Sequence, residues 1–167
     1  DLDQKKIKIE SFGRLTDIVS KGYANPIDNE LEAIAALESL LCESVSLQAV
    51  ADVPLGVFLS GGVDSSTIAA LMQKQSSQSI QTFTVGFDKA DFDESSYALA
   101  VARHLGTYHS QLHVSSDDVR AVIPQLPELY DEPFADSSQI PTYLVCQAAR
   151  KHVTVALSGD GGDELFG

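Results

Sequence analysis

The sequence predicts an α/β fold built on a doubly wound, Rossmann-like parallel sheet. Short apolar runs of strand length alternate with longer runs whose apolar residues recur at helical spacing. Strand–helix–strand units of this kind make right-handed crossovers between parallel strands. Two of the apolar runs end in glycine-rich, acidic loops. We expect the strand order 3-2-1-4, which places the ligand-binding switch point between the first and fourth strands.

The first predicted helix begins at its N-cap, Asp28, and runs to about Val50, before Pro54 breaks it. Residues 55–59 form the first strand, because they are a short apolar run that ends at a glycine-rich loop. A second helix follows that loop. The apolar residues at helical spacing are Leu31, Ile34, Leu37, Leu41 and Val45 in the first helix and Ile68, Leu71 and Met72 in the second.

The middle of the chain continues the alternation. Residues 81–85 are expected to form the second strand, which Gly86 ends. A helix capped by Asp93 and stopped by Gly106 then leads to a third strand over residues 109–114.

The last part of the chain completes the predicted sheet. Ser115 or Ser116 caps a helix that bends or ends near Pro124 and Pro127, since proline cannot continue a helix. A further helix is expected over residues 141–151, and the fourth strand over residues 153–157.

Composition and charge narrow the class of protein. The chain has 167 residues, of which 44% are hydrophobic and 21% charged, and this is ordinary for one α/β domain. A net charge of −13 argues against nucleic acid as a partner. No apolar stretch reaches the length that spans a bilayer, so no membrane contact is expected. We interpret Cys42 and Cys146 as buried free thiols of a cytoplasmic protein.

The loop at residues 60–66 turns a strand into a helix. Gly61 and Gly62 allow a sharp turn and a close ligand approach, and the helix N-terminus that follows favours phosphate. The carboxylate of Asp64 would repel phosphate unless Mg²⁺ lay between them. A plain strand-end turn is the alternative, because no Walker lysine follows the glycines. Three hydroxyls can reach the same phosphate oxygens, those of Ser60, Ser65 and Ser66.

The loop at residues 158–164 follows the fourth predicted strand. Ser158 and Gly159 leave room for a flat base or a ribose, and Asp160, Asp163 and Glu164 place three carboxylates at a helix start. One hypothesis is a magnesium–pyrophosphate clamp opposite Asp64, or contacts to an amine or ammonia. The alternative is an acidic first helical turn that complements the helix dipole.

Two acidic segments outside these loops have open roles. Asp131, Glu132 and Asp136 either reach the crevice between the two loops or belong to a turn around Pro133. The acids within residues 88–94 either form a solvated loop or fold over a bound nucleotide.

Three segments resemble one family, namely residues 60–66, 131–138 and 157–167. Over about residues 28–167 the chain is similar to the synthetase domain of glutamine-dependent asparagine synthetase. The resemblance implies the adenine nucleotide alpha hydrolase, or PP-loop ATP pyrophosphatase, type of sheet. It also implies that ATP adenylates a carboxylate, aspartate in the family, with release of pyrophosphate. Ammonia made by a glutaminase domain then displaces AMP.

The resemblance also assigns roles to residues of this chain. It implies Mg²⁺ ligation by Asp64 and Asp163, and acid–base roles beside the attacking ammonia for Asp160, Asp163 and Glu164. Val85, with Gly86 after it, and Leu59 match the adenine side, whereas Ser158 and Gly159 match the ribose and adenylate contacts. The pyrophosphate of ATP would lie on Ser60, Gly61, Gly62, Asp64, Ser65 and Ser66.

Two departures from the family pattern leave the acceptor open. Asp160 stands where asparagine-forming enzymes carry glutamate, and the uncharged Ser137 stands near a family arginine. The acceptor is therefore aspartate or another carboxylate such as a sugar acid. Two other functions are alternatives to an amidotransferase synthetase domain. One is another ATP pyrophosphatase enzyme, and the other is a non-catalytic nucleotide-binding module.

The domain prediction follows from the same resemblance. Residues 1–27 show no sustained period, and we interpret them as a connector or the tail of a glutaminase domain. Residues 28–167 would be a synthetase domain cut short at its C-terminus, since the family's adenylation lysine would follow Gly167. A fragment of this kind is expected to be inactive alone. The sequence leaves open whether the protein forms a homodimer.

Overall fold

The computed structural model describes residue 7 and residues 9–88, 93–133 and 135–166. It divides into two compact units, Asp1–Ser39 and Leu40–Gly167. The first contains helix α1 (Leu15–Ala24) and the start of helix α2 (Glu30–Gln48). Sequence periodicity did not predict α1 within the expected connector. The cap of α2 was also misplaced, because Asn29, and not Asp28, accepts a hydrogen bond from the Glu32 N–H at 3.1 Å.

The second unit contains a four-stranded sheet. Its strands are β1 (Leu55–Phe58), β2 (Gln81–Phe87), β3 (Tyr108–Val114) and β4 (Val155–Leu157). All three strand pairs are parallel, and the order is β3-β2-β1-β4, as predicted. Because β1 and β4 are neighbours although nearly the whole unit separates them in sequence, the carboxyl ends of these two strands open side by side.

Helices connect the strands at close to the predicted positions. Their bounds are α3 (Val63–Gln75), α4 (Ser95–Leu105), α5 (Ser116–Val122), a 3-10 turn (Ile123–Gln125), α6 (Leu126–Leu129), α7 (Gln139–Ala149) and α8 (Gly162–Phe166). The fourth strand is two residues shorter than expected, because the Val153 N–H still bonds to the Ala149 carbonyl at 2.8 Å and closes the turn after α7. None of the helices in the described ranges is long and apolar enough to cross a membrane.

Local signals explain where these helices begin and end. Ser115 and Asp118 form a reciprocal capping box at the start of α5, which confirms the predicted cap. Gly106 ends α4 with φ of 70°, a left-handed conformation that glycine adopts without strain. The N-cap of α4 is Glu94 and not Asp93, so the predicted cap is misplaced by one residue. The Asp93 carboxylate nevertheless accepts a hydrogen bond from the first N–H of the helix, that of Ser95, at 3.1 Å.

Both faces of the sheet are covered, as a doubly wound fold requires. On one face Val57 and Leu59 pack with the apolar sides of α3 and α4, and the end of α2 joins this core through Val45. On the other face Phe83 packs with Ala149 at the end of α7. Val114 packs with α5 and α7 in a third cluster.

The two cysteines are free thiols, but they are not equally buried. Cys42 is partly buried and packs against the first core, whereas Cys146 is exposed on α7. The expectation of two buried thiols is therefore wrong for Cys146. Apolar helical spacing placed this residue on α7 correctly, but spacing alone does not decide which side of a short helix faces the sheet.

Gly56 offers a test of the packing between β1 and β2. A Cβ at this position would lie 2.7 Å from the Phe83 ring and 3.2 Å from the Gln81 carbonyl oxygen. Since Phe83 is fully buried, the ring cannot move aside without disturbing the core. We expect Gly56→Ala to lower the free energy of unfolding by about 1–3 kcal/mol in urea denaturation. Gly22→Ala is the control, because its Cβ meets nothing within 4 Å, and equal losses in the two variants would contradict the packing argument.

Candidate functional site

A cavity of about 960 Å³ lies at the carboxyl ends of the strands. Residues from the loops after β1 and β4 line it together with residues from β2 and the start of α7. This is the switch point of the sheet, where strand order reverses, and the position where open α/β sheets bind ligands.

The loop between β1 and α3 makes a tight turn. Gly62 is the N-cap of α3, and Gly61 has φ of 89°. A Cβ on Gly61 would lie 2.6 Å from the Tyr97 Cβ and 2.7 Å from the Ala98 nitrogen. The positive φ and the contact with α4 therefore both require glycine at position 61. The turn leaves the N-terminal N–H groups of α3 at the cavity, where they favour an anion.

Two serine side chains brace this loop internally. The Oγ atoms of Ser60 and Ser65 lie 2.8 Å apart. The Ser60 N–H donates to Ser65 Oγ at 3.2 Å, and the Gly62 N–H donates to Ser60 Oγ at 3.2 Å. The Ser65 hydroxyl also reaches the Gly62 carbonyl at 3.4 Å. Ser65 is 9% exposed, whereas Ser60 is exposed at the cavity wall.

The loop between β4 and α8 is also held by its own hydrogen bonds. The Ser158 hydroxyl donates to the Asp160 carboxylate at 3.1 Å, and the Asp160 N–H lies 3.4 Å from the same hydroxyl oxygen. The Gly162 N–H donates to the Gly159 carbonyl at 3.2 Å, and Gly161 has φ of 92°. These bonds fix the turn that presents Asp160, Asp163 and Glu164 at the cavity wall.

The two loops touch through glycine backbones. A Cβ on Gly159 would lie 2.6 Å from the Ser65 nitrogen and 2.9 Å from the Asp64 carbonyl carbon. A Cβ on Gly162 would lie 2.5 Å from the Asp64 carboxyl carbon. Glycine is thus required at position 159, where the contact is with backbone, whereas at position 162 only the end of the Asp64 side chain would have to move. The predicted juxtaposition of the two loops is confirmed.

The polar side of the cavity is strongly acidic. Its lining includes no lysine or arginine within the described part of the chain. Asp136 accepts a hydrogen bond from the Ser138 N–H at 2.8 Å, and this bond holds the pKa of the Asp136 carboxyl below its ordinary value. The carboxylates at the wall are those of Asp64, Glu94, Asp136, Asp160, Asp163 and Glu164.

Another part of the cavity lining is apolar. Leu59, Phe83 and Val85 reach it from the ends of β1 and β2, and Pro141 and Val145 reach it from α7. Leu59 and Phe83 are each 1% exposed, so their positions are fixed by the core. A flat apolar group can lie against this wall while its polar end faces the glycine loops.

Most of the predicted site residues line the cavity, but three do not. Gly61 lies behind the loop against α4, and Gly86 is buried among Gln111, Asp93 and Ser95. Ser66 is also outside the lining, and its Oγ atom is buried with no hydrogen-bond partner among the described residues. The lining includes eleven of the predicted residues: Leu59, Ser60, Gly62, Asp64, Ser65, Val85, Ser158, Gly159, Asp160, Asp163 and Glu164.

Sequence reasoning missed Thr84, Phe87 and Thr142, which also line the cavity. The first two lie in β2, which extends two residues past the predicted end at Val85. The continued apolar and β-branched pattern through Phe87 was the available signal. Of the acids whose role was open, Glu94 and Asp136 reach the cavity.

The magnesium hypothesis depends on which carboxylates line the cavity. Within the described ranges, no three His, Cys, Asp or Glu side chains come together in an arrangement that could hold a metal ion. Mg²⁺ is commonly held by one or two carboxylates together with phosphate oxygens. Asp64 and Asp163 both line the cavity and offer oxygen donors of that kind, so they fit Mg²⁺ in the company of a nucleotide.

Comparisons with known proteins agree with this architecture. A family model described as asparagine synthase matches residues 36–167. A protein of Methanocaldococcus jannaschii named putative asparagine synthetase [glutamine-hydrolyzing] 2 is 39% identical over 168 residues, which are 100% of this chain and 31% of that protein. A Mycobacterium bovis protein named putative asparagine synthetase [glutamine-hydrolyzing] is 43% identical over 151 residues, covering 89% of this chain and 23% of its own length.

A solved structure shows the same fold. The NH3-dependent NAD synthetase from Campylobacter jejuni, in complex with nitrate, superimposes with a TM-score of 0.55 at 12% identity. The match covers 80% of this chain and 60% of that one. At so low an identity the likeness concerns the fold alone, and it confirms the predicted α/β class.

This chain spans about a third or less of the length of the curated relatives it matches. The family model nevertheless covers most of the chain, and it includes both glycine loops and every element from α3 to α8. Sequence and fold therefore lead to one conclusion: the chain belongs to the asparagine synthase family.

Proposed function

We propose that this chain is the ATP-using part of an amidotransferase. It binds ATP, joins the α-phosphate to a carboxylate with release of pyrophosphate, and lets ammonia displace AMP to form an amide. The observation that carries the proposal is the contact between the two glycine loops, because it brings an anion-binding helix start and three carboxylates to one cavity.

The nucleotide would lie across the two sides of the cavity. Its base fits the apolar wall near Leu59 and Val85, and its ribose fits the small residues Ser158 and Gly159. The pyrophosphate then reaches the loop of Ser60 and Gly62, where N–H groups and the positive end of the α3 dipole stabilise it.

The charge of the cavity requires a counter-ion for this arrangement. Asp64 and Asp163 would hold Mg²⁺ by their carboxylate oxygens. The ion, when bound, neutralises charge on the departing pyrophosphate. The residues of the chain orient the phosphates and keep the acceptor carboxylate close to the α-phosphorus, which is the larger part of catalysis in phosphoryl chemistry.

The amide-forming step needs an acid–base group near the adenylate. Ammonia from a glutaminase domain must be present as the neutral amine, so a carboxylate that accepts a proton assists the attack. Asp160 has this role in our proposal, with Asp163 and Glu164 beside it. Its carboxylate is already oriented by the Ser158 hydroxyl.

The acceptor is a carboxylate, with aspartate and a sugar acid as the two candidates. Ser137 is exposed and uncharged, and Asp160 is one methylene shorter than glutamate. The alternative function is that of a non-catalytic module, which binds a nucleotide but catalyses no reaction.

Isotope exchange tests the proposal directly. In the protein carrying this chain, labelled pyrophosphate should enter ATP only when the acceptor carboxylate is present, because reversal requires the acyl-adenylate. A screen with aspartate, glutamate and uronic acids identifies the acceptor. Exchange without any carboxylate, or tight ATP binding with no exchange for any carboxylate, would contradict the proposed reaction.

Asp64→Asn tests the counter-ion. The substitution keeps the size of the side chain but removes its charge, so we expect the exchange rate to fall roughly a hundredfold, the equivalent of about 2.7 kcal/mol of charge stabilisation. Asp52→Asn is the matched control, since Asp52 is exposed before β1 and does not line the cavity. Unchanged exchange in Asp64→Asn would remove Asp64 from the metal site.

Gly159→Ala tests the contact between the loops. The added Cβ would overlap the Asp64–Ser65 peptide and displace one loop by a fraction of an ångström or more. Misplacement on that scale can cost about a hundredfold in rate, so we expect a loss of exchange approaching this size. Thermal denaturation should show that the variant still folds. Full exchange activity in a folded Gly159→Ala protein would show that the reaction does not need this contact.

A further inference from the structure

The serines of the β1–α3 loop differ in what their hydroxyls can still bind. A hydroxyl has one proton and two acceptor lone pairs. Ser65 is 9% exposed and lies within hydrogen-bond distance of the Ser60 N–H, the Ser60 hydroxyl and the Gly62 carbonyl. The Ser60 N–H occupies one lone pair of Ser65 Oγ, and the single Ser65 proton has two possible acceptors, Ser60 Oγ at 2.8 Å and the Gly62 carbonyl oxygen at 3.4 Å.

The direction of the 2.8 Å bond between the two serines decides what Ser60 can offer a ligand. If Ser60 donates to Ser65, the only proton of Ser60 is used within the loop. If Ser65 donates to Ser60, Ser65 gives up its longer bond to the Gly62 carbonyl, which still accepts from the Ser66 N–H at 3.1 Å. Ser60 Oγ then accepts from both Ser65 and the Gly62 N–H, and the Ser60 proton is left over. Only the second arrangement gives the exposed Ser60 hydroxyl a proton to donate into the cavity.

A phosphate oxygen is an acceptor, so it selects the second arrangement. We infer that Ser65 is a positioning residue: it donates to Ser60 Oγ, turns the Ser60 proton toward a phosphate oxygen, and makes no phosphate contact of its own. This inference rests on the proposed function, because it assumes that pyrophosphate occupies this loop. It also replaces the equal roles that the motif alone suggested for Ser60 and Ser65.

The inference predicts that the two hydroxyls act as one unit. Ser60→Ala removes the donor to phosphate, and Ser65→Ala removes the group that aims it, so each should weaken binding by about the same factor. We expect about a tenfold weaker affinity for inorganic pyrophosphate in each single variant, as for the loss of one hydrogen bond to a charged group. The double variant should also be about tenfold weaker, whereas two independent ligands would give about a hundredfold.

The measurement is calorimetric titration of the protein carrying this chain with inorganic pyrophosphate at a fixed Mg²⁺ concentration. Thr67→Ala is the matched control. Its hydroxyl also donates to a backbone carbonyl of α3, that of Val63 at 2.8 Å, but it does not line the cavity. Its pyrophosphate affinity should stay within about twofold of the parent protein.

Two further variants separate aiming from packing. Ser65→Thr keeps the hydroxyl and should bind within a few-fold of the parent protein, whereas Ser65→Cys fills the site with a weak donor and should stay about tenfold weaker. If Ser65→Ala fails to fold, this pair carries the test. Restoration by cysteine would show a packing role and overturn the inference.

The remaining outcomes distinguish the two proposals. A double variant about a hundredfold weaker would make Ser65 an independent ligand, and the positioning role would be wrong while the proposed function stands. A Ser60→Ala protein with unchanged pyrophosphate affinity would overturn the inference alone, because the N–H groups at the start of α3 can still bind pyrophosphate. A parent protein that binds no pyrophosphate at any Mg²⁺ concentration would overturn the proposed function itself.

Discussion

The site depends on one steric condition, the approach of the Gly159 backbone to the peptide that joins Asp64 and Ser65. The sheet order makes this approach available, because β1 and β4 are parallel neighbours that end at the same edge. Glycine makes it close, since any Cβ at position 159 would overlap the opposite loop. The start of α3 and the acids after β4 can therefore share one cavity because the loop after β4 has no side chain where it meets the Asp64–Ser65 peptide.

Electrostatics then limits what this cavity can hold. Six carboxylates line it, and the chain as a whole has a net charge of −13. An anionic nucleotide is repelled by such a wall unless local positive partners offset the repulsion. In the proposed function, the N–H groups at the start of α3 would supply part of that offset and a divalent cation the rest. Phosphate binding and metal binding would then be coupled, because each offsets the charge that opposes the other.

The fold could be predicted from sequence, because the spacing of apolar residues, the length of the apolar runs and the positions of the glycines all indicate the same strand–helix–strand crossovers. Strand order and both loop positions followed from this pattern, and the caps at Ser115 and Gly106 from local chemistry. Properties that depend on tertiary contacts did not follow. Three of these properties depend on how α3 and α7 lie on the sheet. They are the exposure of Cys146, the burial of the Ser66 Oγ atom and the position of Thr142 at the cavity wall. Helical spacing predicts which residues share one face of a helix, but not which other elements that face contacts.

The three serines of the loop have different surroundings, although the sequence motif makes their hydroxyls look equivalent. In sequence they are equivalent hydroxyls within seven residues. In the structure Ser60 is exposed, Ser65 is bonded within the loop, and the buried Ser66 hydroxyl has no partner in the part of the chain that the structure describes. A buried hydroxyl with no partner costs about 1–3 kcal/mol. Among the described residues the Ser66 hydroxyl has no such partner, whereas the Ser65 hydroxyl is bonded to the Ser60 N–H and the Ser60 hydroxyl, so the hydrogen bonds of the loop maintain the shape of the turn. A turn held in this way is ordered in advance of its ligand, and a preordered loop loses less entropy when phosphate binds.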